Sequence, residues 1–130
     1  MSKLKCKCGH IIFDQTDNLT NKGYVLPDTK FDDIFSGTIE KIDDLSEATK
    51  TNKRIEWIKT NFNVPPYPID LKDSSMIHDL LSDKIIDSMK TIYECAHCGR
   101  IAIQLGHTEN FKFFNPDSDD TKGILNGNDF

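Results

Sequence analysis

Apolar residues recur at helical spacing in the middle of the chain. Between Asp28 and Leu45 they fall three or four residues apart, or at multiples of these intervals, which gives one apolar face. We predict a helix over this stretch, with Asp28 as its N-cap, followed by a polar linker over residues 46–52. The apolar positions of this first helix are Phe31, Ile34, Phe35, Ile42 and Leu45.

Two further helices are predicted after this linker. The second covers residues 53–62 and ends before the proline-rich segment 63–68, which cannot continue a helix and should form a stiff connector. The third begins at a cap at Ser74 or Ser75 and runs to about Met89. Its predicted buried face consists of Ile77, Leu80, Leu81, Ile85 and Met89.

Short apolar runs on both sides of this helical region predict strands. Residues 3–13 contain two small strands around a turn, and residues 23–26 a short extended piece. Residues 92–105 form a hairpin, and residues 111–114 a third antiparallel strand. We therefore expect an α+β fold with a small antiparallel sheet and about three helices inserted over residues 28–90. The prediction is one domain over residues 1–116 and a loose acidic tail over residues 117–130.

The four cysteines of the chain form two close pairs. Cys6 and Cys8 lie in Cys-x-Cys-Gly, and Cys95 and Cys98 lie in Cys-x₂-Cys-Gly. A tight turn that ends in glycine can aim two thiolates in the same direction, and zinc takes four such ligands in a tetrahedron. The pattern predicts one structural Zn²⁺ held by all four cysteines.

Two glycine-containing knuckles that share one metal resemble the zinc ribbon family. The resemblance covers residues 3–13 and 91–114, and it implies a zinc centre that joins the two ends of the chain. Two features depart from the family: the first pair is one residue tighter than usual, and the segment between the pairs is much longer than a ribbon loop. The helices between the pairs lie outside the resemblance.

The cysteine pairs could also support chemistry other than zinc binding. A Cys-x₂-Cys pair can be a redox dithiol, but in thioredoxin-like proteins it opens a helix, whereas here it lies in a hairpin. His10 or His97 could replace one cysteine as a ligand, although we prefer both as exposed neighbours of a four-cysteine site. Such a site has no open position for water, so we expect no enzyme activity. The sequence contains no signal-peptide pattern and no membrane-spanning stretch, so we expect a cytoplasmic protein without disulfides.

The charge of the chain indicates the kind of partner. Its net charge of −5 disfavours nucleic acid, whose binding requires a surplus of lysine and arginine. Acidic residues concentrate on the first predicted helix, where the ordinary interpretation is a solvated face and the functional one a surface for a basic protein. The residues predicted to bind this partner are Asp33, Glu40, Asp43, Asp44 and Glu47.

These observations predict a non-catalytic, zinc-binding protein that presents an acidic surface to a basic protein partner. Immunity proteins, which neutralise a toxin by covering its active site, share these general properties, and this likeness is an analogy. The alternative is a zinc ribbon protein associated with nucleic acid, as in transcription or phage proteins. A basic patch on the ribbon beside Phe111 and Phe113 would favour that alternative.

Overall fold

A computed structural model describes residues 3–62, 67–119 and 122–126. It contains three helices and two antiparallel sheets, so the α+β class predicted from the sequence is confirmed. Contacts divide the chain into a sheet unit, residues 1–26 with 89–130, and a helical unit, residues 27–88. The elements in chain order are β1 (Lys3–Lys5), β2 (Ile11–Phe13), β3 (Lys22–Val25), α1 (Asp28–Lys50), α2 (Arg54–Asn61), α3 (Asp73–Ser88), β4 (Lys90–Glu94), β5 (Ile101–Gln104) and β6 (Phe111–Phe114).

The sheet unit is built from a two-stranded and a four-stranded sheet. β1 pairs with β2, and the larger sheet has the order β3-β4-β5-β6, so the strands predicted around both cysteine pairs are present. Tyr93 of β4 is paired with Lys22 on one side and Ala102 on the other. The buried core of the unit contains two of the four cysteines and consists of Cys6, Ile12, Tyr93, Cys95 and Ala102.

A polar cluster ties the end of β2 to the larger sheet. The Asp14 carboxylate accepts a hydrogen bond from the Lys22 ammonium at 2.7 Å and another from the Tyr93 hydroxyl through the same oxygen. Burial opposes ionisation of Asp14, but these two donors outweigh it and lower the pKa of the carboxyl group. Burial and the nearby carboxylate raise the pKa of Tyr93. The cluster therefore fixes Asp14 as an anion at neutral pH.

The buried carboxylate of Glu94 holds part of the C-terminal segment. It accepts hydrogen bonds from the backbone N–H groups of Gly123 and Leu125. Residues 122–125 form a turn, and residues 120–121 and 127–130 lie outside the described part of the chain. The single domain over residues 1–116 and the loose tail over residues 117–130 stay predictions.

The first helix is longer than the sequence predicted. α1 continues to Lys50, so the polar linker expected over residues 46–52 is reduced to a short turn. The reason is that Ala48 is buried one turn beyond Leu45, so the buried face of the helix continues past the last apolar position of the predicted pattern. The N-cap is Pro27, without a side-chain hydrogen bond, rather than Asp28.

The buried face of α1 also differs from the prediction. Phe31 and Phe35 are each 50% exposed, whereas Thr38 is buried although it is polar. Its hydroxyl donates to the Ile34 carbonyl, which satisfies the buried group within the helix. The residues that α1 buries are Ile34, Thr38, Leu45 and Ala48.

The other two helices pack on α1 within the helical unit. Leu45, Ile58 and Met76 form the buried centre, one residue from each helix. Gly37 lies at a close approach, because a Cβ there would clash with the flexible end of Lys84 on α3. On α3 only Met76 is fully buried, and the predicted apolar face is half-buried, with Met89 just beyond the end of the helix. Residues 63–66 of the predicted connector lie outside the described residues.

Candidate metal centre

The two cysteine knuckles close with the same backbone hydrogen bonds. In the first, the Cys6 N–H donates to the His10 carbonyl at 2.8 Å and the Gly9 N–H donates to the Cys6 carbonyl at 3.0 Å. In the second, both equivalent bonds, from Cys95 to Arg100 and from Gly99 to Cys95, measure 2.8 Å. Both glycines have positive φ, +94° and +74°, a conformation that side chains rarely adopt. The tight Cys-x-Cys pair therefore forms a knuckle like that of the longer pair.

The fold brings the four sulfur atoms together from both ends of the chain. Cys6 Sγ lies 3.6 Å from Cys98 Sγ, Cys8 Sγ lies 3.7 Å from Cys95 Sγ, and all four lie within 4.8 Å of one another. A tetrahedron with metal–sulfur bonds of about 2.3 Å has sulfur–sulfur edges of about 3.8 Å. Disulfide bonds are only about 2.0 Å long, so these separations fit shared coordination and not oxidation. The cluster can hold one metal ion.

The surroundings of the cluster set the protonation of its thiols. Cys6 and Cys95 are 2% and 0% exposed, and burial raises the pKa of both, that of Cys6 to about 12. For Cys98, burial is outweighed by the Arg100 backbone and guanidinium and by neighbouring thiols, which lower its pKa to about 6. Buried thiols with high pKa values ionise when a cation compensates their charge. A bound metal supplies that charge, and Arg100, which donates to Cys98 Sγ at 3.4 Å, adds a second positive group.

The two nearby histidines lie beside the sulfur cluster. The rings of His10 and His97 stack with centroids 6.0 Å apart, and both residues are exposed. In the described part of the chain, the group of close ligand atoms contains four sulfurs and no histidine nitrogen. This geometry favours a four-cysteine ligand set, and four thiolates are a donor set typical of structural zinc.

The five acidic residues predicted to bind a partner all lie on α1 and are exposed. Among the described residues, none of their carboxylates forms an ion pair. Four of them follow one stripe at spacings of seven, eleven and fourteen residues from the first. The described ion pairs therefore leave the charge of these side chains unneutralised, and the residues lie apart from the sulfur cluster in sequence. These residues are Asp33, Glu40, Asp43, Asp44 and Glu47.

Sequence reasoning missed two features of the structure. One is the Asp14 cluster, in which Asp14 and Tyr93 are 79 residues apart in the chain and share no motif. The other is the exposed apolar side of α1, where Phe31 and Phe35 were expected in the core. The sequence carried a signal for the second, because Ile39 follows Phe35 by four residues and precedes Ile42 by three, so the helix has more apolar positions than one buried face requires.

Comparison with known families identifies a model that covers most of the chain. A family model described as a domain of unknown function, DUF8617, matches residues 2–118. No curated protein and no solved structure matches the chain. The resemblance to zinc ribbons thus rests on the knuckles alone. Within the described residues, no helix has both the length and the apolar character that crossing a membrane requires.

Proposed function

We propose that the chain, which belongs to the DUF8617 family, is a non-catalytic zinc-binding protein that binds a basic protein partner through α1. One structural Zn²⁺ bound by Cys6, Cys8, Cys95 and Cys98 holds the sheet unit together. The observation that carries the metal assignment is the pair of sulfur–sulfur distances, 3.6 and 3.7 Å, which match the edge of a zinc tetrahedron.

A closed set of four thiolates supports structure and leaves no position for a reacting water. The buried Cys6 and Cys95 belong to the core of the sheet unit, so metal binding and folding are coupled there. We therefore propose that the protein is not an enzyme and that its function lies on its surface. The reducing cytoplasm, where such thiols stay free to bind metal, is the compartment we propose.

The distribution of charge supports α1 as the binding surface. The helical unit, residues 27–88, contains thirteen acidic and eight basic residues, whereas the rest of the chain contains eight of each. The whole net charge of −5 therefore belongs to the helical unit. An acidic surface accelerates association with a basic protein and rejects acidic competitors. An immunity protein that covers a basic toxin is one class with these properties.

A pull-down with purified protein tests this function. The wild-type chain is expected to capture a basic protein, and reversing Asp33, Glu40 and Asp44 to lysine is expected to reduce capture at least tenfold, since it replaces attraction by repulsion. Captured protein is identified and quantified by mass spectrometry.

The matched control reverses three exposed acids elsewhere in the helical unit, Glu56, Asp70 and Asp87. This variant has the same net charge as the first, so its capture should stay within about twofold of wild type. Equal loss of capture in both variants would show that net charge alone causes the effect. Unchanged capture in both would show that α1 is an ordinary solvated helix and not the binding surface.

One observation favours nucleic acid as a second candidate partner. The Lys7 ammonium lies 5.9 Å from the centre of the half-buried Phe113 ring, which places a positive charge beside an aromatic side chain, the two kinds of group that bind single-stranded nucleic acid. Residues 3–13, 95–104 and 111–114 contain five basic and no acidic residues. Salt-sensitive binding of a labelled single-stranded RNA, measured by fluorescence anisotropy and lost in Lys5→Gln/Lys7→Gln, would support this candidate.

A further inference from the structure

The exposed side of α1 carries a row of large apolar side chains. The exposed fractions are 50% for Phe31, 50% for Phe35, 59% for Ile39 and 38% for Ile42. The two phenylalanine rings contact each other, with centroids 5.0 Å apart. We call these four residues the apolar ridge. They follow one another at intervals of four, four and three residues, so they line one side of the helix.

The ridge lies between the buried face of α1 and its acidic side. At about 100° per residue, its centre is about 90° around the helix from the buried positions Ile34, Thr38, Leu45 and Ala48. Beyond the ridge the helix is acidic. Asp28 lies in line with the ridge, one turn before Phe31, and Asp32 and Asp43 flank its side, since they precede and follow Ile39 by seven and four residues. Asp33 and Asp44 lie farther around, close to the other edge of the buried face.

An apolar centre with a charged rim is the usual anatomy of a protein interface. The apolar contacts supply most of the affinity, while rim charges affect the association rate and select the partner. The ridge has the elongated shape that fits a second helix laid along it, with apolar residues at three- and four-residue spacing. The acidic side chains at its rim attract positively charged groups of a partner.

Charge decides which occupant this surface fits. Residues 28–50 contain seven acidic residues and three lysines. A second copy seated on the ridge would bring the flanking acids Asp32 and Asp43 of both chains to the same contact, and an anionic membrane would repel them. A helix with an apolar face and lysine or arginine beside it complements both the ridge and the rim.

We propose that the apolar ridge, Phe31, Phe35, Ile39 and Ile42, is the docking site for a basic amphipathic helix of the partner protein. This proposal rests on the proposed function, since it takes α1 as the surface that meets a basic protein. It moves the centre of the contact from the acidic stripe to the ridge, with Asp32 and Asp43 as the charges along its side.

A defined peptide tests the ridge directly. The probe is a synthetic 18-residue helix of leucine and lysine with leucines at helical spacing, titrated into the full-length protein by calorimetry. We expect binding in the micromolar range, and no detectable binding of a peptide with the same composition in scrambled order. Ile39→Ser should weaken binding at least tenfold. Ile86→Ser should change it less than twofold, because Ile86 is equally exposed, at 59%, but lies on α3.

The rim is tested in the same titration. Reversing Asp32 and Asp43 to lysine should lower the affinity for the peptide more than reversing Asp33 and Asp44 does. Both pairs of substitutions change the net charge equally. Equal effects of the two pairs, or equal affinity of the Ile39→Ser and Ile86→Ser variants, would overturn the proposal. A wild-type dimer in sedimentation velocity that Ile39→Ser dissociates would also overturn it, since the occupant would then be a second copy.

The pull-down separates failure of this proposal from failure of the proposed function. If Ile39→Ser leaves capture of the basic protein intact while reversal of Asp33, Glu40 and Asp44 abolishes it, the ridge proposal fails and the acidic surface stands. If neither variant changes capture, both fail. Loss of capture in Ile39→Ser and not in Ile86→Ser supports the ridge.

Discussion

Replacement of Cys95 by serine is expected to abolish both metal binding and the cooperative unfolding of the sheet unit. Cys95 is fully buried, and its sulfur lies 3.7 Å from Cys8 Sγ in the candidate centre. A structural zinc site contributes about 10–16 kcal/mol in small zinc-binding peptides, whereas a whole domain is stable by only about 5–15 kcal/mol. Loss of the metal is therefore expected to remove a free energy as large as the whole stability of a domain. Zinc content by elemental analysis and thermal unfolding by near-ultraviolet circular dichroism measure the two effects.

The control introduces the same hydroxyl one residue away. Ala96 is exposed in the same knuckle, so Ala96→Ser should keep its metal and unfold within a few degrees of the wild type. A Cys95→Ser protein that unfolds as the wild type does would show that the cysteines do not hold a structural metal.

Removing the metal from the wild-type chain is expected to affect its two units differently. The core of the sheet unit contains Cys6 and Cys95, while that of the helical unit consists of Leu45, Ile58 and Met76, without a cysteine. A strong chelator under reducing conditions should raise amide hydrogen exchange in the strands at least a hundredfold. The three helices should change less than tenfold. Hydrogen exchange with mass spectrometry resolves the segments.

Addition of one equivalent of Zn²⁺ should restore the protection, and Mg²⁺, which prefers oxygen ligands, should not. Acid should act like the chelator, because protons compete with the metal for the thiolates. Protection lost equally in strands and helices would contradict a metal that supports the sheet unit alone. Unchanged protection would contradict any structural role for the metal.

The elements closest to the cysteines could be predicted from the sequence because their chemistry is local. Glycine after each cysteine pair specifies a turn with positive φ, and the apolar residues on both sides specify short strands. The turn of the first cysteine pair is one residue shorter and still forms the equivalent backbone hydrogen bonds. Two knuckles that each aim two sulfurs inward leave little freedom beyond their meeting around one centre.

The packing of α1 could not be predicted in the same way. Its apolar residues cover two adjacent sectors of the helix, and periodicity does not say which one α2 and α3 cover. The structure buries the sector of Ile34, where polar Thr38 satisfies its own hydroxyl, and leaves Phe31 and Phe35 exposed. The Asp14–Tyr93 hydrogen bond joins distant parts of the chain and depends on strand register. That register cannot be predicted from a local sequence pattern.

The metal content of the purified wild-type chain tests the central claim most directly. Elemental analysis, combined with titration of reactive thiols in the native protein, should find about one zinc per chain and no rapidly reacting cysteine. All four thiols should react once a chelator has removed the metal. A metal-free protein with four reactive thiols and an unchanged cooperative unfolding transition would contradict the account.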